Sequence, residues 1–138
     1  MIVGFTGTRH GMTEQQKWIL KGIAVFIEEF HVGDCVGADE EAHRIVKDYG
    51  RAKTIGHPPE VGTLRAFCEY DEEREPKPYL TRNRDIIREG KHLLIAAPGE
   101  KNEVQRSGTW LTVRYARNRM RNHIIIYPDG EVEVFRYG

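Results

Sequence analysis

The sequence predicts an α/β fold with about five parallel strands, helices on both faces, and an antiparallel edge strand at the C-terminus. Three times in the first hundred residues, a short β-type apolar run ends in a loop containing Gly or Pro and a helical pattern follows. Within the helical segments, apolar residues recur at three- and four-residue steps. Near the C-terminus, Asp129-Gly130 separates two strand-like runs, the signal of a tight hairpin. Strands alternating with helices favour a parallel sheet, because the chain must return along a face before starting the next strand.

The first unit is a strand from Ile2 to Thr6, the loop Gly7-Thr8-Arg9-His10-Gly11, and a helix from about Thr13 to Glu29. Ile19, Ile23, Phe26, Ile27 and Phe30 share one face of that helix, with Thr13 as its N-cap. A second run, Phe30 to Val32, enters Gly33-Asp34-Cys35-Val36-Gly37. The stripe Ala38, Ala42, Ile45, Val46 and Tyr49 then marks a helix that Gly50 stops. Ala52 to Gly56 forms a third strand, closed by His57-Pro58-Pro59, where the prolines supply neither helix nor ladder donors. Residues 60–78 hold many acids and no clear period, and read as a mobile excursion with at most one helical turn. Tyr79 to Glu89 is helical, Gly90 ends it, and Leu93 to Ala97 is a buried strand stopping at Pro98-Gly99. A helix from about Thr109 to Arg121 puts Trp110, Val113, Ala116 and Met120 roughly on one side. The strand Ile124 to Tyr127 and the alternating Val132, Val134 and Phe135 complete the chain.

At 138 residues and 16.0 kDa, the chain has room for a single domain, 1–138, with one core. Its 39% hydrophobic and 30% charged residues fit a soluble globular class. The two cysteines, Cys35 and Cys68, form no CxxC pair, which argues against a disulfide framework and points to a reducing cytoplasm. No export signal or apolar stretch of membrane-spanning length is visible, so no membrane partner is expected. The formal charge is zero, which excludes a generally basic nucleic-acid coat. That zero conceals an asymmetry, since residues 1–77 hold 10 basic and 14 acidic side chains, and residues 78–138 hold 11 and 7. The C-terminal excess fits an anionic ligand.

In an open parallel sheet, ligands bind beyond the carboxyl ends of the strands, where the winding reverses. The loops at such ends carry the candidate residues. Gly7, Thr8 and Arg9 combine close backbone approach, a hydroxyl donor and a cation, with free N–H groups expected at the following helix start. A tight turn with a solvated arginine explains the same residues. Gly33, Asp34, Gly37, Ala38 and Asp39 repeat the device, with either aspartate able to accept from ribose hydroxyls or a base. Their alternative is a plain turn followed by an acidic first helical turn. Arg82 and Asn83, with Arg84, surround a helix start, where cations are disfavoured. An anionic partner or pairing with the acids of 69–75 would account for them. Ser107, Gly108 and Thr109 form the most specific candidate, a small-residue cradle at the mouth of a helix. Trp110 reads as core.

No histidine pair has metal-ligand spacing, so no metal site and no cofactor are expected. His10 and His57 are expected in solvent-exposed loops, although both could approach a ligand. Neither cysteine has a base visible in its sequence neighbourhood. The arginines at 114, 117, 119 and 121 read as a solvated helix face and end, or as a single-stranded nucleic-acid contact.

The initial Gly4-Phe5-Thr6-Gly7-Thr8-Arg9, the Gly33 to Asp39 loop followed by Ala42-His43, the Thr81-Arg82-Asn83 start and the late Ser107-Gly108-Thr109 together resemble the SLOG superfamily. That group includes the YspA-like proteins, the LOG nucleotide phosphoribohydrolases and the DNA-processing protein DprA. The resemblance spans residues 2–127 and implies a Rossmann-like three-layer domain binding or sensing a nucleotide or nucleotide-derived phosphate ligand. The first loop and the late Gly-Thr loop would hold phosphate. LOG enzymes carry a PGGxGTxxE signature, and here Thr112 stands where its glutamate would be. A threonine supplies no carboxylate base. Hydrolysis or transfer at an N-glycosidic bond would therefore fall to Asp34, Asp39 or Glu41, if the fold brings one there. The resemblance leaves three functions in view: a small nucleotide-like ligand, N-glycosidic chemistry, and single-stranded nucleic acid as in DprA. A homo-oligomer such as a dimer is also compatible, since related domains pair through helices.

Overall fold

The computed structural model describes residues 1–138. Its elements are β1 (Ile2–Gly7), α1 (Glu14–Ala24), β2 (Glu29–Val32), α2 (Ala38–Tyr49), β3 (Lys53–Gly56), a 3-10 turn at Gly62–Leu64, β4 (Glu72–Glu73), α3 (Tyr79–Glu89), β5 (Leu93–Ala97), α4 (Gly108–Asn118), β6 (His123–Ile126) and β7 (Val132–Phe135). They form one sheet in the order β4-β3-β2-β1-β5-β6-β7. All neighbours are parallel except the β6–β7 hairpin, in which Ile126 faces Val132. The α/β class and the antiparallel C-terminal edge are as predicted, with one more parallel strand than expected.

Helices α1 and α2 pack Leu20, Ala24, Ala42 and Val46 against Phe5, Phe30, Val32 and Ile95 on one face. Helices α3 and α4 cover the other with Ile87, Trp110, Val113 and Ala116 over Leu94, Ala96 and Ile125. Trp110 is thus core, as its helical position predicts. The crossovers change face between β1 and β5, so the crevice beyond Gly7 and Ala97, which pair in register, is the topological switch point.

Two expectations are corrected. Helix α1 ends at Ala24 rather than near Glu29, leaving Phe26 exposed. The terminal ammonium of Met1 donates to Phe26 O and Glu28 N–H donates to Met1 O (both 2.9 Å), so strand pairing captures the chain before another helical turn forms. The 60–78 segment is irregular apart from one 3-10 turn and a two-residue strand, as read, but polar contacts tie it to the sheet rather than leaving it a free excursion. Asp71 accepts from Thr54 N–H at 2.8 Å, and Glu72–Glu73 extend the sheet beside β3. Polar side chains hold this segment, so no apolar period marks it.

A candidate ligand-binding cleft at the switch point

The cleft is built from the strand ends upward. The loop after β1 contributes Gly7, Thr8, Arg9 and His10. The loop after β5 contributes Gly99, Glu100, Val104 and Arg106, and the start of α4 contributes Ser107, Gly108 and Thr109. Tyr79, the first residue of α3, forms a wall, and the enclosed volume is about 310 Å³.

Ser107 is the N-cap of α4. Its hydroxyl accepts from Trp110 N–H at 3.3 Å and its carbonyl accepts from Leu111 N–H at 2.9 Å. The first N–H groups of a helix have no intrahelical partner, and these two bonds leave Gly108 and Thr109 as donors at the positive end of the dipole. A β-carbon on Gly108 would overlap the Tyr79 hydroxyl, so glycine is required for the wall to close. Arg9 and Arg106 are exposed at the rim and form no ion pair. The geometry suits a small anion.

The start of α1 plays a different part from the one expected. Thr13 and Gln16 close a reciprocal capping box (3.0 and 3.2 Å), while Met12 N–H donates to Glu41 at 2.6 Å. No α1 residue lines the cleft, so the first loop brings Thr8 and Arg9 to it rather than a helix terminus. Glu41 fastens that loop and also pairs with Lys17 at 3.2 Å.

The Gly33 to Asp39 loop and the Arg82-Asn83 pair lie behind the cleft, in a narrow gap that shares Gly7, Arg9 and Tyr79 with it. Arg82 is 3% exposed. Its guanidinium donates to Gly33 O, to His57 O at 3.1 Å and to Asn83 Oδ1 at 2.8 Å, while lying over the Tyr79 ring. Neither the 69–75 acids nor solvent meets it. Asp39 accepts from Cys35 N–H at 3.2 Å, and burial pushes its carboxyl up to about 6, opposed by Arg82 and the Cys35 N–H. Gly37, at φ +91°, lies against the Arg9 carbonyl, and Ala38 N–H donates to Thr8 O at 2.9 Å. This loop thereby sets the height of the first one. Asp34 is fully buried and accepts from Tyr70 OH at 2.7 Å, Arg65 Nε at 3.0 Å and Cys68 N–H at 3.2 Å, anchoring the 60–78 segment.

Of the sequence candidates, the fold therefore gathers Gly7, Thr8, Arg9, Ser107, Gly108 and Thr109 in the cleft. It places Gly33, Gly37, Ala38, Asp39, Arg82 and Asn83 as support, and Asp34 and Glu41 as loop anchors. Thr112 is buried and donates to Gly108 O at 2.9 Å, so its position offers neither a carboxylate nor a free hydroxyl proton. Sequence reasoning assigned no role to Tyr79, Glu100 or Arg106. The place of Pro98-Gly99-Glu100 directly after a central strand was a usable signal, whereas Tyr79 comes into view only when α3 and α4 meet. Burial raises the thiols of Cys35 and Cys68, the opposite of what activates a nucleophile. His57 is 2% exposed and outside the cleft, against the expectation of a solvated loop histidine, and burial lowers it. The fold also brings together His31, His57 and Glu89, a grouping that sequence spacing did not show.

Of the C-terminal arginines, Arg114 and Arg117 reach Glu103 at 3.3 and 3.6 Å, and Arg121 donates to Ile87 O at 2.9 Å. Arg84 and Arg119 instead flank the Tyr115 ring, with guanidinium carbons 5.1 and 4.8 Å from its centre and no acidic partner.

The fold is a doubly wound α/β sheet with a crevice at its switch point. No family model matches the chain, and no curated protein does. Among solved structures, DNA processing protein A from Helicobacter pylori, a single-stranded DNA binding protein, is similar at a TM-score of 0.62 and 18% identity. The match covers 89% of this chain and 63% of that one. The likeness extends to the Rossmann-like fold; this chain spans less than two thirds of that protein's length. No helix is long and apolar enough to cross a membrane.

Proposed function

We propose that the switch-point cleft binds the phosphate of a nucleotide or nucleotide-derived ligand. The carrying observation is that the start of α4, where Gly108 and Thr109 N–H have no intrahelical partner, lines a cleft rimmed by Arg9 and Arg106, cations without acidic partners. A volume near 310 Å³ lies at the small end of ligand pockets and suits a phosphate with its sugar better than a dinucleotide. Calorimetric titration with nucleoside monophosphates, cyclic nucleotides and ADP-ribose derivatives tests the reading. Saturable one-site binding is expected, weakened by roughly 1–3 kcal/mol in Arg106→Ala if that arginine makes a charge-assisted bond. Folded protein that binds none of these ligands would overturn it.

A second reading, single-stranded nucleic acid, is supported by the fold likeness to a DNA-binding protein and by Arg84 and Arg119 around Tyr115. It predicts affinity that grows with oligonucleotide length and falls steeply with salt. A mononucleotide site shows neither length dependence nor a steep salt slope. N-glycosidic chemistry would rest on Glu100, the carboxylate that lines the cleft. Release of free base from nucleoside monophosphates, lost in Glu100→Gln, tests that alternative.

A further inference from the structure

On the α3 side of the sheet, away from the cleft, His31 of β2 meets His57, the residue after β3, and Glu89, the last residue of α3. Phe30 and Val32 point to the opposite core, which the strand alternation requires if His31 faces α3. One ring nitrogen of each histidine and one Glu89 oxygen lie within 4.8 Å of one another. The histidines are 1% and 2% exposed. From these ligand types and their convergence, we propose that His31, His57 and Glu89 form a binding site for a zinc-class divalent transition ion.

The surrounding bonds prepare each group for that role. His31 Nε2 lies 2.7 Å from Glu29 Oε1, so the carboxylate holds the proton on Nε2 and leaves Nδ1 with a lone pair. An outer carboxylate orienting a ligating imidazole is a recurrent support at zinc sites. His31 Nδ1 is 2.8 Å from His57 Nε2, an approach satisfied without metal by a single shared proton. Moving that proton to His57 Nδ1 frees Nε2 as the second ligand, and no proton leaves the protein. Glu89 is held by Arg74, whose Nε and Nη2 both donate to Oε1 at 3.1 and 2.8 Å. Its Oε2 makes no hydrogen bond and lies 3.9 Å from His57 Nδ1. Two imidazoles and one carboxylate form a common zinc ligand set, with a fourth position for water. Closing the ligand atoms from within 4.8 Å of one another to metal-bonding distance requires adjustment of the three side chains.

Titration of the full chain with Co2+, a coloured stand-in for zinc, tests the site. The expected result is one equivalent with visible tetrahedral absorption, displaced by Zn2+, and an unfolding temperature that rises with zinc concentration. Glu89 is about one-quarter exposed at a helix end and the Arg74 contact survives an amide, so Glu89→Gln should fold and weaken the metal at least about tenfold. His57→Asn leaves the backbone carbonyl that receives Arg82 and should abolish the absorption. Imidazole nitrogen resonances of the unmodified protein provide a readout that needs no variant. With zinc, those of His31 and His57 should shift while those of the exposed His10 and His92 stay in place. Absence of stoichiometric binding, or binding that leaves the His31 and His57 resonances unmoved, overturns the proposal.

Discussion

Arg82→Met separates a ligand-facing arginine from a structural one. The substitution keeps an unbranched stem of similar length and removes every donor. It strips the donors from Gly33 O, His57 O and Asn83 Oδ1, all in a place where the arginine is 3% exposed. A buried acceptor left unpaired costs about 1–3 kcal/mol, more where its donor is charged, and the buried Asp39 carboxylate also loses the favourable field of the guanidinium. These losses share one guanidinium and do not add. Asp39, left without its cation, also recovers part of the cost by taking up a proton, since its carboxyl is already near 6. The expected loss is therefore about 3–5 kcal/mol, a large share of the about 5–15 kcal/mol of a typical domain. Urea unfolding followed by circular dichroism and tryptophan fluorescence measures it, and at a slope of about 1–3 kcal/mol/M the midpoint should fall by 1 M or more. Arg82→Met/Asp39→Asn should lose less than the sum of the single variants, because the two groups interact. A change below about 1 kcal/mol, accompanied by loss of nucleotide affinity, would refute the reasoning and return Arg82 to the ligand.

Other perturbations follow from the same geometry. Asp39 has a raised folded pKa of about 6, so between pH 4 and 6 the folded state binds the extra proton and its contribution to stability falls as pH rises. Asp39→Asn removes that term. Its stability should consequently drop more steeply than wild type on acidification through this window, by up to about 1.4 kcal/mol per pH unit; parallel pH profiles would show the assignment wrong. Gly37→Ala places a β-carbon against the Arg9 carbonyl at φ +91°, and should destabilise by at least about 2 kcal/mol while weakening any cleft ligand through the displaced first loop. Thermal unfolding and titration together check it. Asp34→Ala leaves Arg65 and Tyr70 without their buried acceptor. Hydrogen exchange should accelerate across residues 62–73 while β1 and β5 amides stay protected, and a uniform acceleration would contradict local anchoring.

Where local chemistry bounded an element, the sequence located it closely. Helix α2 runs from Ala38 to Tyr49 between Gly37 and Gly50, α3 from Tyr79 to Glu89 between Pro78 and Gly90, and β5 ends at Ala97 before Pro98, all as read from the chain. Where long-range pairing competed, the sequence reading failed. Helix α1 gave way to strand pairing with Met1, and β4 formed through Asp71 and Thr54, 17 residues apart. The loops of the cleft were legible because glycine and hydroxyl residues follow strands that a parallel fold must align at one end.

By itself, then, the sequence determined the α/β class, the order of its elements and the phosphate-type residues of the first and last loops. These depend on periodicity and capping within a few positions. Tertiary structure decided which of those residues meet a ligand. Arg82 and Gly33 are 49 positions apart, and only their contact turns a cation at a helix start into a buried brace. The meeting of His31 and His57, 26 positions apart, with Glu89 is decided the same way, because side-chain chemistry converges only after the strands align and α3 closes over them.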